Sequence, residues 1–61
     1  MTLKPRQIAL LACLIDGLPP RDAAKALGVT RRTEHRDMLK VLEALGARNR
    51  QQAAAIAGSL L

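Results

Sequence analysis

The sequence predicts an all-α fold, a compact four-helix bundle that contains a helix-turn-helix. Three observations lead there. Apolar residues recur at helical spacing between prolines that open a helix and glycines that stop one. The chain has no Phe, Tyr or Trp, whereas strands favour β-branched and aromatic side chains. Finally, Asp22–Gly28, a short helix ending in glycine, leads straight into a longer basic helix that starts after Thr30. Two helices joined by a tight glycine-containing turn, the second one basic, have the sequence form of a DNA-binding helix-turn-helix. The 61 residues are read as a single domain, 1–61. A core this small is marginal alone and gains from oligomerisation.

The first helix is predicted from Pro5 to about Asp16. Proline suits the first helical position, where its missing N–H costs nothing. Ile8, Leu11, Leu14 and Ile15 supply the expected core stripe, and Gly17 ends the helix. Lys4 falls at the N-cap and is a poor one, since an ammonium group cannot accept an amide proton; Thr2 would cap only a shifted start. Leu18-Pro19-Pro20 forms a stiff corner. Pro20 opens the second helix, Asp22 lies near its positive end, and Ala23, Ala24 and Leu27 form a small apolar face. Gly28 closes that helix, and Val29 is expected to plug the gap before the next.

Thr30 is a good N-cap for a third helix, expected over Arg31–Leu45. At about 100° per residue, Glu34, Met38, Val41, Leu42 and Leu45 gather on one side as a core stripe with one misfit, Glu34. Arg32, Arg36, Lys40 and Glu43 gather on the other, bordered by His35 and Leu39. Gly46 supplies the left-handed stop. Asn49, with Gln52 three residues later, resembles a capping box for a fourth helix. Its run Ala53-Ala54-Ala55-Ile56-Ala57-Gly58-Ser59-Leu60-Leu61 is so apolar that more than one side must be covered. A partner helix is expected there, with Gln52, Ala53, Ile56, Ala57 and Leu60 at a dimer interface.

Ten Lys and Arg against five Asp and Glu give a net charge of +5, which favours a polyanionic partner. No segment approaches the roughly 20 apolar residues that span a bilayer. Lys4 and Arg6 precede an apolar run, but Asp16 follows it without a small-residue cleavage pattern. A cytoplasmic protein with no membrane partner is expected. Cys13, the only cysteine, lies among Leu10, Leu11, Leu14 and Ile15 and reads as a buried, inert thiol. His35 is likewise the only histidine. No catalytic residues, metal ligands or cofactors are expected, and the protein is not read as an enzyme.

The chain resembles the DNA-binding domain of the LuxR/GerE family of bacterial transcription regulators, over Leu3 to about Ala57. The resemblance rests on Leu3-Lys4-Pro5-Arg6 with Leu10-Leu11, Gly17-Leu18, and Ala23-Ala24-Lys25-Ala26-Leu27-Gly28-Val29. It continues through Thr33, Val41, Leu42 and Leu45-Gly46 to Arg48-Asn49-Arg50 with Gln52-Ala53-Ala54. It implies a third helix in the major groove and a fourth that makes the dimer contact. Where the family's first helix opens Thr-x-Arg-Glu, Lys4 and Gln7 stand in the Thr and Glu places, so its cap is weaker. Where the recognition helix typically reads Thr-Val-Lys-x-His, this chain has Thr33-Glu34-His35-Arg36-Asp37, and Leu39 replaces a frequent base-contacting lysine. Two new carboxylates near a DNA backbone would add repulsion, although Asp37 could accept a hydrogen bond from cytosine N4. Many family members carry a receiver or ligand-binding domain ahead of this module; here a stand-alone, GerE-like regulator is expected, the other reading being a domain excised from a longer regulator.

Two functions follow as expectations. The first is a transcription regulator that reads double-stranded DNA as a homodimer, with half-sites about 34 Å apart. Arg32 and Arg36 are the best base readers, because arginine can bridge guanine O6 and N7. Thr33 and His35 join them, and Arg21, Lys25, Arg31, Lys40, Arg48 and Arg50 anchor phosphates. The alternative is an antagonist that heterodimerises through its C-terminal helix with a full-length LuxR-type regulator and blocks it.

Overall fold

A computed structural model describes residues 3–60, the side chain of Leu60 excepted. Four helices follow one another: α1 (Pro5–Ile15), α2 (Pro20–Leu27), α3 (Arg31–Leu45) and α4 (Arg50–Leu60). No strand occurs among the described residues. The predicted elements are all present, with α1 and α4 each differing by one residue at a boundary. The Cα radius of gyration is 10.2 Å, matching the roughly 10.5 Å of a fully packed chain of this length.

The boundaries follow from local chemistry. The first three helices end alike, with two reverse hydrogen bonds wrapping the chain around a left-handed glycine in the Schellman pattern. At Gly28 (φ +68°) its own N–H bonds to the Lys25 carbonyl at 3.2 Å and the Val29 N–H to the Ala24 carbonyl at 3.0 Å. Gly46 (φ +67°) repeats this against Glu43 and Leu42. Any other L residue strains this backbone by about 1–2 kcal/mol, so the two glycines fix the start and end of the segment presenting α3. Thr30 caps α3 as expected: its Oγ1 accepts the Thr33 N–H at 3.1 Å.

The caps of α1 and α4 differ in detail from those predicted. Lys4 accepts nothing with its side chain, but Gln7 Oε1 accepts the Lys4 N–H at 3.0 Å, so half of a capping box survives. At α4, Asn49 Oδ1 accepts the Gln52 N–H at 2.8 Å, and Gln52 Oε1 reaches one residue further back to the Arg48 N–H at 2.6 Å. Thr2 lies outside the described residues.

The core joins Leu10 and Leu14 of α1, Ala23 of α2, Met38 and Val41 of α3, and Ala53 of α4. Two faces differ from the expectation. On α1 the buried positions are Gln7, Leu10 and Leu14, whereas Ile8 is 55% and Ile15 37% exposed. Nearly every residue of α1 is apolar, so spacing alone did not decide which side turns inward. On α4, Ala53 and Ala57 are buried inside the protomer. Both were expected at a dimer interface, and the correction is physical: methyl side chains let α4 lie close to the other helices, so the bundle covers this face itself. The outer face of α4 carries Gln51, Gln52, Ala55, Gly58 and Ser59, with Ile56 half-buried at its edge. The side chain of Leu60 lies outside the described residues. Cys13 and Val29 are half-buried; Cys13 packs on the core, and Val29 is not part of that apolar cluster.

Candidate nucleic-acid interface

Two carboxylates of α3 face inward, and each meets an arginine from another helix. Glu34, in the first turn, is 1% exposed. Arg50, at the start of α4, donates from Nη1 to Glu34 Oε2 at 2.8 Å and from Nη2 to the Leu18 carbonyl at 3.4 Å. This guanidinium therefore joins α4, the first turn of α3 and the corner between α1 and α2. One turn along α3, Asp37 is 4% exposed and takes a two-pronged contact from Arg6 of α1, through Nε to Oδ2 and Nη2 to Oδ1. The hydrogen bond from Arg6 holds the Asp37 carboxyl below its ordinary pKa; burial opposes this, while the Arg6 charge, the Gln7 side chain and the Lys4 charge reinforce it. Among the described residues these are the only ion pairs, and no buried side-chain nitrogen or oxygen lacks a partner.

This arrangement changes the reading of several residues. Arg50 was expected at a phosphate; it is instead committed to a buried carboxylate, because leaving Glu34 unpaired would cost several kcal/mol. Asp37 and Glu34 are both buried and paired, away from the exposed cations of α3. Arg6 was assigned no role of its own from sequence, yet it holds Asp37 on the inner face of α3. A signal for these pairings existed: Glu34 falls on the core stripe of the helical projection and Asp37 borders it, and a buried carboxylate requires a cation.

The outward face of α3 is correspondingly basic. Arg31, Arg32, His35, Arg36, Leu39, Lys40 and Glu43 are all exposed, and none of its cations is paired with a carboxylate among the described residues. Glu43, in the last turn, is the only outward carboxylate of the helix. Of the base-reading candidates, Arg32, His35 and Arg36 share this face. Thr33 is half-buried and belongs to the cap, with its Oγ1 3.2 Å from that of Thr30. Arg21 and Lys25, one turn apart, are exposed on α2, which packs against α3. Arg48 is exposed in the connection after α3. Two helices joined by three residues, the second with a solvated row of unpaired arginines, could lay that row into a groove lined by phosphates.

Among the described residues, no helix is long and apolar enough to cross a membrane, and no cluster of His, Cys, Asp or Glu could hold a metal ion. The chain matches no family model, no curated protein and no solved structure.

Proposed function

We propose that this protein is a small DNA-binding transcription regulator of LuxR/GerE type, acting in the cytoplasm, with the outer face of α3 in the major groove. One observation carries the reading. Glu34 and Asp37 are turned inward and neutralised by Arg50 and Arg6, while Arg31, Arg32, Arg36 and Lys40 remain outward with Glu43 as the single outward carboxylate of α3. The recognition helix is thus more cationic on its working side than its composition suggests. Arg32 and Arg36 read bases with His35 beside them, and Arg21, Lys25, Arg31, Lys40 and Arg48 neutralise phosphates. No enzymatic step is part of this reading. A dimer would join through the outer strip of α4 around Gln52, Ala55 and Ile56.

The alternative is an antagonist pairing through α4 with a full-length regulator; because Ala53 and Ala57 are spent on the protomer's own core, the outer strip of α4 is what either kind of pairing would use. Selection from a random double-stranded DNA pool at two salt concentrations separates the two. The regulator predicts an enriched two-fold symmetric motif whose affinity falls steeply with salt. Absence of any enriched motif would overturn it.

A further inference from the structure

Leu39 stands out on the reading face. It is 52% exposed, lies one turn beyond His35 and Arg36, and is the only large apolar side chain among the exposed residues of α3. Its exposed neighbours on this face, His35, Arg36, Lys40 and Glu43, are polar or charged, while Leu42, one turn on, is half-buried against the core. In the major groove, thymine alone among the four bases presents a methyl group, and apolar side chains recognise it by contact. Arg36 and Leu39 are three residues apart, about 4.5 Å along the helix axis at 1.5 Å per residue. Base pairs stack about 3.4 Å apart, so the two side chains would address pairs one or two steps from each other.

We propose that Leu39 is a specificity-determining residue that reads a thymine methyl next to the guanine addressed by Arg36. The inference rests on the proposed insertion of α3 into the major groove.

The test uses the DNA site selected by the wild-type protein. Each thymine in turn is replaced by uracil, which deletes only the methyl, and affinity is measured for wild type and Leu39→Ala. Alanine keeps the helix, and circular dichroism checks that both proteins are folded. At one thymine per half-site, uracil should weaken the wild type about fourfold, the scale of burying one methyl at about 0.8 kcal/mol. Leu39→Ala should bind the thymine and uracil sites equally. A wild type indifferent to every thymine methyl, or a uracil penalty of equal size in Leu39→Ala, overturns the proposal while leaving DNA binding intact. A wild-type protein that binds no DNA overturns the underlying reading, and this proposal with it.

Discussion

Arg50 Nη1 lies 2.8 Å from Glu34 Oε2, with the carboxylate almost wholly removed from solvent. The pair ties the first turn of α4 to the first turn of α3 across 16 positions of sequence. Removing either partner strands a charge in the interior, whereas replacing both by apolar residues of similar size removes the desolvation cost together with the attraction.

Arg50→Met should therefore destabilise the domain by about 3–5 kcal/mol, enough to unfold most of a chain this small. Glu34→Leu combined with Arg50→Met should recover most of that loss. Urea denaturation of the two single variants and the double variant gives the coupling. Additive losses would show that the two side chains do not act as a pair.

The Arg6–Asp37 contact predicts a pH dependence. The folded pKa of Asp37 lies below its ordinary value of 3.8, so the contact contributes stability that is fully present above the unfolded pKa. That stability is lost as pH falls through the folded value. Denaturation midpoints from pH 7 down to pH 2 should drop for wild type more steeply below about pH 4 than for Asp37→Asn. Parallel curves would assign the acid sensitivity to other groups.

On the outer face, Arg36→Ala should cost about 1–3 kcal/mol in binding to the selected DNA and relax its sequence preference, whereas Lys40→Ala should weaken all sequences alike and reduce the salt slope by about one. Equilibrium titrations against selected and scrambled DNA distinguish the two effects. Equal losses on both sequences would remove Arg36 from base reading.

The two sides of α4 should respond differently to charge. Ala53→Glu places an unpaired carboxylate in the core and should abolish the folded state. Ala55→Glu alters only the outer strip and should leave helicity intact while splitting the proposed dimer. Sedimentation together with circular dichroism reads both. A wild type that sediments as a monomer at high concentration would refute dimerisation.

The helices were legible because their ends carry local signals: Pro5 and Pro20 at the starts, Thr30 and Asn49 at the caps, and Gly17, Gly28 and Gly46 at the stops. Such signals act within a few residues and survive any tertiary context. Which side of a helix turns inward was legible only where polar and apolar residues separate cleanly, as on α3. On α1, with apolar residues on all sides, the bundle buried Leu10 and Leu14 and left Ile8 and Ile15 outside. The ion pairs span 16 and 31 positions, a range over which spacing carries no information. Glu34 could be marked as a misfit, but its partner could not be chosen among ten cations.

The opposition between the two faces of α3 bears on how such a domain can diverge. Everything that anchors the helix, from Glu34 and Asp37 to Met38 and Val41, lies on positions distinct from Arg32, His35, Arg36, Leu39 and Lys40. Substitutions can therefore accumulate on the outer set with little effect on folding. If the proposed DNA reading holds, a new target preference can arise in a few mutational steps, and grafting those five outer residues onto another bundle with the same connectivity should carry the preference with them.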